Sequence, residues 1–126
     1  MLHVRTIIDE VKTLLSVVAV SECFDTLADC LNKQIPSPQA IGIIFNGDDV
    51  MVQNENQLPF LMNVKLQIVA KTTAVNTNMS GCVELADSIR DACSSHLIYK
   101  GSSGVTDNGN GTKYCLLNFE YMNTDD

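Results

Sequence analysis

Tryptophan is absent from this chain and histidine nearly so: only His3 and His96 occur. Two imidazoles that far apart form no H-x-x-x-H pair, and a zinc site needs a cluster of ligands. His96 is read instead as a residue near a helix end, where an imidazolium suits the negative end of the dipole. The five cysteines, Cys23, Cys30, Cys82, Cys93 and Cys115, include no C-x-x-C pair. That excludes a zinc ribbon and a thioredoxin-like motif, and their odd number argues against a disulfide framework. They read as small, reduced core residues. Basic residues are scarce: 8 Lys and Arg stand against 15 Asp and Glu, for a net charge of -7. Binding driven by nucleic-acid phosphates or by anionic lipid needs the opposite balance. No apolar run is long enough to span a bilayer. At the N-terminus Arg5, Asp9, Glu10 and Lys12 break any signal-peptide pattern, and the uncharged stretch from Thr13 to Ser21 is short. The expected location is therefore cytoplasmic, with no membrane partner.

Apolar periodicity is well represented. Hydrophobic residues make up 45% of the 126 positions, enough for one domain, 1–126, to build a core without disulfides or metal. The clearest signal runs from Pro59 to Lys71. Met62, Val64, Leu66, Ile68 and Ala70 alternate with Asn63, Lys65, Gln67 and Lys71, which predicts a long strand with one buried and one wet face. Ile7, Ile8, Val11, Leu14, Leu15 and Val18 form a stripe at helical spacing, with Thr6 and Asp9 as a variant capping box. Ser80 to Leu97 carries a second stripe, Cys82, Ala86, Ile89, Cys93 and Leu97. Phe24, Leu27, Ala28 and Leu31 predict a short helix within Cys23 to Lys33, capped by Asp25 or Thr26. The Ile35-Pro-Ser-Pro38 connector then stops any helix.

Between Ala40–Phe45 and Asp48–Gln53 sits Asn46-Gly47, a dipeptide that favours the tight turn of a hairpin. Asn54 to Leu58 reads as a polar connection into the long strand, giving a three-stranded meander. Thr72 to Asn78 reads as a polar loop. Gly101 to Thr112 holds four glycines and reads as a mobile loop or hairpin turn. Cys115, Leu117, Phe119 and Tyr121 alternate with Asn118 and Glu120 in a last strand, Lys113 to Met122. The expected fold is α+β: a mainly antiparallel sheet of four to five strands, with two main helices on one face.

No catalytic constellation is visible. There is no G-x-S-x-G and no G-K-[ST]. Asp107 to Gly111 suggests a calcium loop, but alternate positions are glycines without side-chain oxygens, so a turn is expected. Asp87 and Asp91 lie four apart on a helix and read as a solvated face. Asp48 and Asp49 are adjacent, and neighbours in a strand point to opposite faces, which places them poorly as an acid/base pair. No enzyme activity, catalytic residue, cofactor or metal is therefore expected. The sheet edges are hardly blunted, since Pro36, Pro38 and Pro59 fall at connections. Edges left open are commonly covered by another subunit.

The order of these elements carries a family resemblance. An amphipathic N-terminal helix, the PSP connector into AIGIIFNGDD, the strand LMNVKLQIVAK, the helix ELADSIRDAC and a final strand ending LLNFEYM resemble bacteriophage tail terminator proteins. The type found in Mu-like phages and prophages is the nearer match and the lambda type a more distant one. The resemblance covers Val4 to Met122 and rests on patterns, with no diagnostic residue. It implies an α+β subunit of a homo-oligomeric ring, commonly a hexamer. Such a ring ends the tail tube and presents the surface on which the head docks. The implied partners are tail-tube and head-completion proteins, and DNA passes through without specific binding. The protein would be made in the bacterial cytoplasm and become part of the virion. Candidate oligomer contacts are Asp48, Asp49, Asn63, Lys65 and Gln67, with the Gly101–Thr112 loop as a further contact. Two alternatives come from other classes: a non-catalytic adaptor that holds a partner strand at a sheet edge, and a cysteine-dependent enzyme.

Overall fold

The computed structural model describes residues 4–33, 38–54, 57–73, 79–109 and 111–124, with the side chains of 49–62, 79, 80 and 122–124 left aside. His3, most of the proline connector, residues 55 and 56 and most of the 72–78 loop lie outside the described residues. Helix α1 spans Val4–Leu15. Ile7, Val11 and Leu15, each four residues after the last, put one buried row on a single face. The helix starts earlier than its capping-box pattern suggests and stops before the β-branched run, where the Val18 and Ala19 amides both donate to the Leu15 carbonyl. Helix α2, Leu27–Asn32, is capped by Thr26, whose Oγ1 accepts from the Asp29 amide at 3.2 Å. Helix α3 spans Met79–Cys93. It ends four residues short of Leu97, and Leu97 itself is buried after the turn.

Six strands form one sheet among the described residues: β1 Val20–Phe24, β2 Gln39–Asn54, β3 Gln57–Thr73, β4 Ile98–Ser102, β5 Thr106–Asp107 and β6 Thr112–Thr124. Their order is β1-β2-β3-β6-β4, with β5 also on β6 beyond β4. The α+β class holds, but the sheet is larger than the four to five strands expected, and it is mixed. β1 runs parallel to β2, from Val20 opposite Ala40 to Phe24 opposite Ile44. Parallel neighbours need a crossover, and α2 supplies it. Residues 20–24 read as helix flank or helix start because Phe24, Leu27 and Leu31 keep helical spacing across the strand-to-helix boundary.

Two corrections follow. First, Asn46-Gly47 is not a hairpin turn. β2 runs straight through it and pairs with β3 on both sides. Phe45 faces Leu66 while Asp48 faces Val64, so three steps along β2 meet two along β3, which leaves one extra residue in a β-bulge. Gly47 takes the positive φ of 102° that this kink requires. The supposed three-stranded meander is thus one long hairpin, and strand pairing reaches into the stretch expected to be a polar connection, with Asn54 opposite Gln57. Second, the sheet is covered on both faces, because the short α2 departs from the face that the two main helices share as expected. α1 and α3 cover the face of Ile41, Ile43, Val64, Leu66, Ile68, Ala70, Leu117 and Phe119. α2 lies on the opposite face, where Cys30 packs with Ile44 and Val69, joined by Phe24, Leu27 and Leu116. Gly42 permits this approach: a Cβ there would collide with Cys30 Sγ and sit 3.3 Å from Phe24 Cδ2.

Lys71 pins α2 in place. Its side chain is buried, and Nζ donates to the Cys30 carbonyl at 2.5 Å and to the Lys33 carbonyl at 2.8 Å. Those are carbonyls of the last turn, which no intrahelical amide can reach. Burial lowers the Lys71 pKa, and the neighbouring Lys33 charge adds to the drop.

Candidate contact surfaces

The lengths of the strands create the most unusual feature. β1 stops opposite Ile44 of β2, and β4 stops opposite Glu120 of β6. Past those points the sheet narrows to β2, β3 and β6, and past Leu61 opposite Thr124 it is β2 and β3 among the described residues. Residues 45–54 of β2 therefore form an arm about 30 Å long at ~3.3 Å per residue. Among the described residues no strand lines the outer edge of that arm.

The five candidate contact residues do not form one site. Asn63, Lys65 and Gln67 do share a face, the one opposite α1 and α3, and all three are half-buried. The pairing sets Lys65 opposite Glu120 and Gln67 opposite Asn118. Asn63 Nδ2 donates to Glu120 Oε1 at 3.5 Å, and Lys100 Nζ lies 3.3 Å from Glu120 Oε2. Glu120 is thus the centre of a polar cluster around a shallow hollow of about 160 Å³. Asn63 Oδ1 is buried with no hydrogen-bond partner among the described residues. Lys100 was not legible as a member, since the sequence places it after a helix and β4 was not foreseen.

Asp48 stands apart from that cluster. It is exposed and faces Val64, so the register sets it on the helix-side face. Asp49 faces Asn63, on the opposite face, and its side chain lies outside the description. The expectation that the two carboxylates diverge holds for the backbone register. Their position is mid-strand after a bulge, not the tip of a hairpin. Reading Asn46-Gly47 as a bulge would have found this, because Ile41, Ile43 and Phe45 share a face with Asp48 only if one residue is extra.

A second concavity, about 290 Å³, opens between α3 and the segment from β4 to β5. Ala86, Cys115 and Leu117 floor it, Val83 and Val105 line its rim, and Asp87 and Arg90 project from α3. The Arg90 guanidinium carbon sits 4.3 Å above the centre of the Tyr99 ring, a cation–π contact. Tyr99 in turn packs on Phe119 with ring centres 5.6 Å apart. No ion pair joins Arg90 to a carboxylate among the described residues.

The described part of the 101–112 segment has more regular structure than a loop. It contains the end of β4, all of β5 and a turn in which the Gly109 amide donates to Asp107 Oδ1 at 2.8 Å. The Asn108 amide closes the turn on the Thr112 carbonyl at 2.8 Å. The Asp107 carboxylate is thus engaged by its own backbone, as the turn reading requires.

No cysteine has the setting of an activated nucleophile. Cys30, Cys82, Cys93 and Cys115 are buried and Cys23 is exposed. Burial pushes the Cys30 and Cys93 thiols up to about 11 and raises the other three as well. An activated thiol has its pKa lowered. His96 is exposed, and its Nδ1 lies 2.7 Å from Ser95 Oγ. Among the described residues no three His, Cys, Asp or Glu side chains gather into a metal-binding group. No described helix is long and apolar enough to cross a membrane. No protein-family model matches the chain, and no curated protein does either.

Proposed function

We propose that this chain is a structural subunit of a phage or prophage tail, and that copies of it assemble into a ring which ends the tail tube and presents the head-docking surface. The observation that carries this is the β2–β3 arm. Most of the arm is three strands wide, but its tip narrows to two among the described residues, a ribbon that is marginal on its own in water, and a strand edge left open invites another chain. A second subunit answers both problems at once, and a closed ring answers them for every copy. The order of elements that resembles tail terminators supports the specific assignment, with a hexamer as the expected stoichiometry. Tail-tube and head-completion proteins are the partners, and the finished protein is part of the virion. The net charge of -7 suits a passage through which DNA slides without being held. The raised thiols weigh against cysteine catalysis, and no cofactor or metal enters the scheme.

The test is direct. Light scattering on the sized protein and negative-stain microscopy should show rings with a central opening of tail-tube width. A monomer at micromolar concentration without rings would refute the assignment. It would favour the adaptor alternative, in which the same bare edge of β2 holds a strand of some other protein.

A further inference from the structure

The ring reading leaves open which surfaces meet, and the inference below rests on that reading. Phe45 is one of the few large apolar side chains left exposed, at 42%. It sits where β1 ends, on the helix-side face, because it faces Leu66. The bulge brings Asp48 onto that same face, next along the arm. One surface of the arm therefore offers an aromatic ring followed by a carboxylate. At the opposite edge of the sheet lies the cleft between α3 and β4–β5. It offers the complement: an apolar floor, an exposed Val83 on the rim, and an Arg90 stacked on Tyr99 without a carboxylate partner among the described residues. Its volume of about 290 Å³ falls just below the ~300–1,000 Å³ usual for small-molecule sites, which suits a side chain of a docked segment better than a cofactor.

We propose that the cleft receives the arm of a second copy of this chain, with Phe45 inserted against Val83 and Tyr99 and Asp48 paired with Arg90. The two surfaces lie on opposite edges of one sheet, so a chain cannot satisfy itself. Copies arranged head to tail satisfy every arm and every cleft, and such a contact closes into a ring when the rotation allows. Large aromatic side chains and arginine are enriched at interfaces. Asp87 lies on the same helix as Arg90 and lines the cleft. It repels a carboxylate placed elsewhere in the cleft and so favours the register that brings Asp48 to Arg90.

The experiment uses the full chain. Phe45→Ala should weaken self-association at least about thirtyfold, the effect of losing a hot-spot anchor. Asp48→Arg and Arg90→Asp should each weaken it roughly ten- to a hundredfold, and the double swap should restore most of the loss. Circular dichroism of each variant checks that the fold is kept. A photo-crosslinker at Val83, in a mixture of heavy- and light-nitrogen protein, should link to residues 45–48 of another copy. Oligomers that persist in all three variants, or crosslinks that map elsewhere, would overturn this contact while leaving the ring standing. A wild-type protein that is monomeric and yields no inter-copy crosslink would overturn both.

Discussion

Replacing Gly42 by alanine tests how α2 is seated. The added Cβ meets Cys30 Sγ at a distance no real Cβ tolerates, and lies 3.3 Å from the Phe24 ring. Cys30 is buried in the last turn of α2, and that turn is also tied to Lys71, so the sulfur has little room to retreat. Overpacking of this kind costs about 1–3 kcal/mol, and ~2 is a fair central figure for a rigid neighbour. Cys30→Ala alone removes the sulfur and leaves a small void, at about 1 kcal/mol by analogy with other single-atom core deletions. If the clash is real, the two changes are complementary. Alanine at 42 then fills the space that the sulfur vacates, and the double variant should cost about 1 kcal/mol or less instead of the ~3 that additivity gives. Urea denaturation of the four proteins measures this cycle. In melting temperature the single Gly42→Ala should lose roughly 8 °C, at about 4 °C per kcal/mol for a domain of this size. Additive behaviour, or a Gly42→Ala variant as stable as the parent, would refute the placement of α2 across that face of the sheet.

Other outcomes follow from the same contacts. Lys71→Met keeps the aliphatic stem but strands two helix-end carbonyls, and should cost about 1–3 kcal/mol at neutral pH. Burial depresses the Lys71 pKa below its ordinary 10.5, so between the folded value and 10.5 the unfolded chain holds more protons. The stability gap between parent and Lys71→Met should therefore widen as pH rises toward 10.5, and a gap independent of pH in urea melts would contradict the burial of a charged amine. A thiol reagent should label Cys23 of the folded protein readily, and Cys30, Cys82, Cys93 and Cys115 only after denaturation. Cys30 and Cys93 hold their protons to about pH 11 when folded against an ordinary 9.0, so the stability they confer is full below pH 9 and lost as pH climbs to about 11. Lys65→Glu would place a carboxylate directly opposite Glu120, and should cost the isolated subunit up to about 1 kcal/mol. Thermal melts of a dilute sample read that cost, and no loss would return Lys65 to the role of a contact residue alone.

The chain's own sequence determined whatever depends on near neighbours. The stripe Ile7, Val11, Leu15 needs only helical geometry to become a buried face, and it did. The alternation from Met62 to Ala70 needs only a pleat, and Val64, Leu66, Ile68 and Ala70 are all buried. Thr26 caps a helix because its own oxygen reaches an amide three residues on. Partners far along the chain were decided by the tertiary structure alone. Asn46-Gly47 suits a turn and a bulge equally well, since both want a glycine at positive φ. What chose the bulge was β3, which pairs with β2 on both sides of it and so carries the strand on past the kink. Residues 20–24 have no strong local preference and became a strand because β2 offered an edge. Lys71 looked like the wet end of an alternating strand and is instead buried under α2, because an unsatisfied helix end lay above it. The two surfaces assigned to subunit contact have the same origin. Phe45 joins Asp48 on one face only through the bulge, and Arg90 meets Tyr99 only where the unforeseen β4 packs beside α3.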